Sequence, residues 1–238
     1  MALFKHIPNT ITSMNLLSGV MGVIFTLEGH LEWAFPLMIL AAVFDFCDGL
    51  AARLLGAYSP IGGELDSLAD LVSFGVLPAL MLYKVQPLDA PAILRYIPLF
   101  VAVMSAVRLA KFNVDERQTL DFIGLPTPSC AMVCGSLAYF LHAGGGVPEG
   151  ACVWLLDAVA IVLGLLLVSE IPMFGMKIKK GHKLLDAKRI AFLVLSLAAV
   201  LAVVLLRFDW SLAVLAVFSV YVVENLVLAA INSFRRAA

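Results

Sequence analysis

Four aspartates in the N-terminal part of the chain have a type and spacing that could support chemistry. Asp45 and Asp48 are three positions apart and Asp66 and Asp70 are four apart, so each pair shares one face of a helix. A charged residue in a membrane span costs at least ~2.5–3.5 kcal/mol on insertion scales, which marks it as functional. Carboxylates without His or Cys favour Mg²⁺ or Mn²⁺. The pattern predicts a site for two divalent ions, the usual clamp for displacement at phosphorus.

The composition places these carboxylates in a membrane protein. Of the 238 residues, 62% are hydrophobic and only 14% are charged, and the mean hydropathy is +1.01. Soluble domains carry about 25% charged residues. The net charge of −1 gives no basic excess, so we expect no nucleic-acid partner.

We predict an all-α polytopic membrane protein with eight transmembrane helices, because about 20 apolar residues are needed to cross the hydrocarbon core. The predicted spans are residues 10–29, 33–56, 62–83, 93–112, 128–146, 151–175, 190–206 and 210–233. They form a single integral membrane domain over 1–238. The two C-terminal helices, within 190–238, are predicted to be an addition to a six-helix unit within 1–175.

The basic residues predict the orientation of these spans. Thirteen of the Lys and Arg side chains fall on the side of the termini and three on the opposite side. Cytosolic loops are enriched in basic residues, so both termini and the loops 113–127 and 176–189 are predicted to face the cytosol, in the cytoplasmic membrane. At 1.5 Å per residue, both aspartate pairs then lie roughly 7–15 Å from the cytosolic end of their spans.

The aspartates belong to a longer pattern, D-x-x-D-G-x-x-A-R-x(8)-G-x-x-x-D-x-x-x-D. Its fixed positions are Asp45, Asp48, Gly49, Ala52, Arg53, Gly62, Asp66 and Asp70. The pattern resembles, without a departure, the signature of the CDP-alcohol phosphotransferase family. The resemblance implies a six-helix catalytic core, a homodimer, and a site open to the cytosol and the bilayer.

The resemblance also implies a role for each matched residue. Asp45, Asp48, Asp66 and Asp70 would be ligands of two divalent ions, with Asp70 doubling as general base. The planar fork of Arg53 suits a diphosphate. The positions that the resemblance assigns to the CDP-lipid are Asn9, Gly49, Ala52, Arg53, Ser59 and Gly62.

A second motif bears on the acceptor alcohol. The segments Arg108-Leu-Ala-Lys111-Phe-Asn113 and Phe122-Ile-Gly124-Leu-Pro126-Thr-Pro128 are similar to those of bacterial and archaeal phosphatidylserine synthases, although many of these carry Arg where this chain has Lys111. This similarity implies CDP-diacylglycerol and L-serine as substrates. Arg108 or Lys111 is the candidate partner of the serine carboxylate, and the alternative is that both only anchor the span at the cytosolic side.

Two other functions remain open from the sequence. A different acceptor, such as glycerol phosphate, inositol phosphate or choline, could be served by the basic stretch from Lys177 to Arg189. The aspartates could also form the ion site of a divalent-cation transporter, although transporters usually show repeated halves. Glu170 and Glu224 are expected to be buried and to hydrogen-bond between helices or across a dimer.

Overall fold

The computed structural model describes residues 6–115, 122–175 and 187–237. Lys5, Arg117 and the basic residues from Lys177 to Lys183 lie outside the described residues. The α-helices are α1 Ile7–Glu28, α2 Leu31–Leu55, α3 Pro60–Asp70, α4 Leu77–Lys84, α5 Ala92–Arg95, α6 Phe100–Val114, α7 Thr127–His142, α8 Glu149–Val168, α9 Ala187–Leu205 and α10 Trp210–Ala237. A π-helical turn, Leu71–Val76, joins α3 to α4, and a 3₁₀ turn, Ile97–Leu99, precedes α6.

The predicted fold class is confirmed. Seven helical stretches within the described residues are long and apolar enough to cross a membrane: Ile7–Glu28, Leu31–Leu55, Pro60–Lys84, Ala92–Val114, Gly150–Val168, Lys188–Leu205 and Trp210–Ser233. The predicted fifth span corresponds to α7, which has only 16 residues. At 1.5 Å per residue it is about 24 Å long, short of the roughly 30 Å hydrocarbon core. The count of eight spans therefore stays a prediction.

The predicted sixth span ends earlier than expected. Helix α8 stops at Val168, and the next residue, Ser169, is extended. Residues Pro172–Met173 (β2) then pair antiparallel with Phe122–Ile123 (β1) in a short two-stranded ladder. The prolyl residue at 172 cannot continue a helix, which explains the change in structure.

Turn residues fix the connection between the two helices that carry the aspartates. Helix α2 ends at Gly56, whose positive φ of 59° is the left-handed conformation that glycine adopts at little cost. Helix α3 begins after Ser59, whose hydroxyl accepts a hydrogen bond from the Gly62 amide at 3.0 Å, with Pro60 in the first turn. This short connection makes α2 and α3 antiparallel to each other, and both pack against α1.

Helix α7 lies at the centre of the molecule. It packs against α2, α4, α8 and α10, and most of its side chains are buried. Gly135 allows the close approach of α2, because a Cβ there would collide with the Met38 side chain and lie 3.2 Å from Phe35. The central position of α7 explains how a helix shorter than the bilayer can belong to this bundle.

The C-terminal helices are hydrogen-bonded to, and packed against, the residue that follows the strand ladder. Asn225 on α10 accepts a hydrogen bond from the Phe174 amide at 2.8 Å, and the Tyr221 hydroxyl donates to the Phe174 carbonyl at 3.1 Å. The rings of Phe174, Phe192 and Tyr221 pack edge to face, with centroids 5.3–6.1 Å apart. Helices α9 and α10 thus hold the segment that follows α8, while their status as a separate addition to a core stays a prediction.

Candidate metal centre and adjoining cavities

Three of the four predicted metal ligands converge at one point. Asp45 and Asp48 on α2 and Asp66 on α3 each offer a carboxylate oxygen, and these oxygens all lie within 4.8 Å of one another. Asp70 lies one turn further along α3, where it is 9% exposed and accepts a hydrogen bond from the Asn15 side chain at 3.3 Å. Asp70 is therefore beside the group of three rather than within it.

The donor set fits a divalent cation. Asp48 and Asp66 each bury one carboxylate oxygen that has no hydrogen-bond partner among the described residues. Buried anionic oxygens are costly unless a cation or a donor compensates them. Oxygen donors without His or Cys suit Mg²⁺ or Mn²⁺. The convergent group can hold one ion, and a second would need Asp70 together with its neighbours.

Helix α1 supplies two further polar groups to the site, and one of them, Asn15, was not predicted from the sequence. Asn15 is fully buried, and besides its contact with Asp70 its backbone carbonyl accepts a hydrogen bond from Ser73 at 3.1 Å. The Thr12 hydroxyl lies next to Asp48. An asparagine inside an apolar span was the available signal, but its partner depends on how α1 packs against α3. Asn15 restricts the orientation of the Asp70 carboxylate.

A cavity of about 180 Å³ borders the aspartates on the side of the α2–α3 turn. Five of the six predicted CDP-lipid residues line it, together with Asp48 and Asp66: Asn9, Gly49, Ala52, Ser59 and Gly62. A Cβ on Gly62 would lie 2.9 Å from both the Asn9 amide oxygen and the Ser59 hydroxyl. Glycine at this position therefore keeps two polar groups close together at the cavity wall.

The sixth predicted residue, Arg53, lies outside the lining. It is exposed, and its Nε donates to the Gly49 carbonyl at 2.8 Å on the same helix. Its guanidinium lies 3.9 Å from the position that a Cβ on Gly49 would take, which puts it near the cavity mouth.

A second cavity, of about 330 Å³, lies between the ends of α6 and α8 and is lined by Arg108 and Lys111. Arg108 is only 7% exposed. Its Nη1 donates to the Thr127 hydroxyl at 2.9 Å, while its Nε has no partner among the described residues. Lys111 is exposed, and its Nζ is 3.4 Å from the Val168 carbonyl. Both predicted serine-binding residues thus face one space.

The second cavity has none of the four aspartates in its lining, but contacts of α3 with α6 connect the two regions. Ser67, next to Asp66, donates to the Asn113 side chain at 3.1 Å. The Asp70 carboxylate and the Arg108 guanidinium attract each other across the contact of these helices. The acidic cluster therefore borders the first cavity directly and is linked to the second through the residues of α3 and α6.

Glu170 is not buried, contrary to expectation. It follows the end of α8, is exposed, and lines the second cavity. The early end of α8 at Val168 accounts for the difference. Glu224 is half-buried, and one of its carboxylate oxygens has no hydrogen-bond partner among the described residues.

Comparison with known proteins agrees with this arrangement. Residues 5–169 match the family model described as CDP-alcohol phosphatidyltransferase. Over 191 residues the chain is 36% identical to the CDP-diacylglycerol--serine O-phosphatidyltransferase of Mycobacterium leprae, covering 74% of this chain and 59% of that protein. It is 35% identical over 204 residues to the enzyme of the same name from Mycobacterium tuberculosis H37Rv, covering 82% of this chain and 68% of that one.

An archaeal relative has a similar degree of identity. The archaetidylserine synthase of Methanothermobacter thermautotrophicus is 31% identical over 166 residues, which is 67% of each chain. The names of these three relatives all include serine, as a substrate or as part of the product.

Proposed function

Because the chain belongs to the CDP-alcohol phosphatidyltransferase family, we propose that it transfers the phosphatidyl group of CDP-diacylglycerol to L-serine, giving phosphatidylserine and CMP. The observation that carries the proposal is the arrangement of two cavities about one acidic cluster. One cavity carries the side chains expected to meet a CDP-lipid, and the other contains a buried arginine suited to a carboxylate.

Asp45, Asp48, Asp66 and Asp70 are the residues that would hold two divalent ions, Mg²⁺ or Mn²⁺. When bound, such ions polarise the diphosphate and stabilise the leaving phosphate. Asp70 is the proposed general base that accepts the proton of the serine hydroxyl. Asn15 supports this role, because its hydrogen bond engages one Asp70 oxygen and leaves the other for the substrate.

The cavity beside the α2–α3 turn is the proposed site of the CDP-lipid. Its small side chains leave room for a ligand close to the backbone, and Asn9 and Ser59 provide polar contacts at its wall. Arg53, near the mouth, is placed to swing onto the diphosphate once it leaves the Gly49 carbonyl.

The cavity between α6 and α8 is the proposed site of serine. Arg108 is desolvated and has an unused N–H group, so a carboxylate is a favourable partner for it. Lys111, at the surface of the same cavity, adds a second positive charge. The electrostatic attraction between Asp70 and Arg108 supports delivery of the serine hydroxyl to the base.

An acceptor panel tests the activity. Purified protein is given CDP-diacylglycerol, Mg²⁺ or Mn²⁺, and either serine, glycerol 3-phosphate, inositol phosphate or choline, and CMP release is measured. We expect serine to be the fastest acceptor. Faster CMP release with glycerol 3-phosphate than with serine would show that serine is not the acceptor, while the family assignment would still hold.

Variants at the two cavities test which substrate each one binds. Arg108→Ala or Lys111→Ala should raise the KM for serine about tenfold or more and change the KM for CDP-diacylglycerol little. Arg53→Ala should do the reverse. Lys84→Ala, an exposed cation at the opposite end of the molecule, is the matched control and should change neither value.

We further propose that the protein lies in the cytoplasmic membrane with its termini and active site on the cytosolic side, and that it forms a homodimer. The charge asymmetry supports the orientation, and the family resemblance supports the dimer. The cation-transporter alternative has no observation in its favour beyond the aspartates themselves.

A further inference from the structure

The cavity between α6 and α8 contains both signs of charge. Helix α6 contributes the cations Arg108 and Lys111, and the end of α8 contributes Glu170. A second carboxylate, Asp115, also lines the cavity, but it already interacts with another group. Glu170 has no ion-pair or hydrogen-bond partner among the described residues. The cavity therefore offers a site for a cation as well as one for an anion.

The end of α8 strengthens the cation site. The last carbonyl groups of a helix carry partial negative charge and attract cations. Leu167 and Val168, the final residues of α8, line the cavity, and the last turn of the helix has no basic residue. The Lys111 ammonium lies 3.4 Å from the Val168 carbonyl. This carbonyl is thus accessible to an ammonium group.

The strand ladder keeps this end of α8 in place. Gly124 approaches the last turn so closely that a Cβ would lie 2.6 Å from the Leu167 carbonyl oxygen, and its amide donates to the Ile171 carbonyl at 2.9 Å. The Leu125 amide donates to the Leu166 carbonyl at 2.9 Å. These hydrogen bonds engage backbone carbonyls before and after Glu170, so the backbone that carries its carboxylate is held in place.

We propose that Glu170, together with the C-terminal carbonyls of α8, binds the α-ammonium group of the acceptor, and that the cavity as a whole selects a small zwitterion. The proposal rests on the proposed function for the part played by Arg108, which takes the acceptor's carboxylate. Glu170 determines specificity: it rejects acceptors that have a hydroxyl and a carboxylate but no amine.

Two analogues of serine separate the two charges. 3-Hydroxypropanoate has the hydroxyl and the carboxylate but no ammonium, and ethanolamine has the hydroxyl and the ammonium but no carboxylate. Loss of one hydrogen bond to a charged group corresponds to about a tenfold change in affinity or more. A change at Glu170 should therefore affect serine and ethanolamine, and a change at Arg108 should affect serine and 3-hydroxypropanoate.

The test is Glu170→Gln in the full-length protein, which keeps the shape of the side chain and removes its charge. We expect the KM for serine to rise about tenfold with little change in kcat. The inhibition constant of 3-hydroxypropanoate against serine should stay within about twofold, and that of ethanolamine should rise as serine does. Glu170→Asp should restore part of the serine affinity. Glu28→Gln, an exposed glutamate at the other end of α1, is the control and should match the wild type.

An unchanged serine KM in Glu170→Gln would overturn the proposal. An equal loss of serine and 3-hydroxypropanoate binding would also overturn it, because that would indicate general damage to the cavity. Calorimetric titration of serine separates this proposal from the proposed function. Wild type that binds serine through Glu170 but releases no CMP would refute only the activity, whereas wild type that binds no serine would refute the zwitterion site.

Discussion

Asp48 and Asp66 each bury an oxygen that no described residue satisfies, and they lie close to two further carboxylates. The repulsion among these charges works against folding in the absence of a cation. Asp66→Asn keeps the shape and removes one charge. We expect the melting temperature without metal to stay the same or rise, and CMP release to fall at least about 100-fold.

Stabilisation by metal provides a second measurement of the same change. A cation that binds only the folded protein raises its melting temperature with concentration, and this rise should be smaller in Asp66→Asn. Glu64→Gln is the matched control, since Glu64 is an exposed carboxylate on the same helix. Near-normal activity of Asp66→Asn at ordinary metal concentrations would contradict the metal site.

For single residues, sequence spacing predicted that the aspartates converge, whereas helix packing determined which side chains contact them. Two pairs at helical spacing in adjacent spans suffice to predict that Asp45, Asp48 and Asp66 meet, because one short turn joins the helices. The contact of Asn15 with Asp70 spans 55 positions and depends on the rotation of α1 about its axis. No local pattern determines that rotation. The exposure of Glu170 was missed because the end of α8 was misplaced.

Among the elements, the strand ladder and α10 together support the cavity between α6 and α8. The Phe174 amide, which follows β2, depends on Asn225 for its hydrogen bond. Asn225→Ala should leave this N–H unpaired and lower the free energy of unfolding by about 1–3 kcal/mol. Because Glu170 lies only four residues before Phe174, the KM for serine should also rise.

Thermal melting in detergent and serine kinetics measure these two effects. Val223→Ala, at an exposed position on the same helix, is the control and should leave both values unchanged. A normal melting temperature and a normal serine KM in Asn225→Ala would show that α10 does not support the cavity.

The long elements could be predicted more closely than the short ones. Apolar runs of about 20 residues predict helices because a backbone in lipid must satisfy its own hydrogen bonds. The β1–β2 ladder has two residues in each strand, and its two pairs join residues 51 and 49 positions apart. The π-helical turn at Leu71–Val76 has no composition that distinguishes it from an α-helix. Both depend on tertiary contacts.

At the scale of the whole molecule, its two ends differ in character. The Lys84 ammonium donates to the Leu27 carbonyl at 2.8 Å, and His142 lies 3.5 Å from Glu32, so these helix termini share the end opposite to the α2–α3 turn.

In a cysteine-free background, single cysteines at 114 and 233 should react with a membrane-impermeant reagent only from the cytosolic side. Cysteines at 88 and 208 should react only from the outside.

The four positions test the orientation and the span count together. Val114 and Leu88 are 81% and 85% exposed, so reagent access is decided by the membrane and not by burial in the protein. In the eight-span arrangement an even number of crossings separates each of positions 114 and 233 from the N-terminus. Labelling of these two positions from opposite sides would therefore contradict that arrangement.

The π-helical turn in the third span has a consequence for changes in chain length. A π turn holds one residue more than an α turn, and it keeps the helices on either side in their own α-helical register. Deletion of one residue from an ordinary α-helix rotates everything beyond it by about 100°, which would move buried side chains into lipid. Deletion of Val72 should instead allow the stretch to close into a regular α-helix. Asp66 and Asp70, before the deletion, should keep their orientation, and Leu77, after it, should still face the core. The third span should therefore tolerate the loss of one residue at the π-helical turn but at few other places along its length. The loss would break the hydrogen bond of Ser73 with α1.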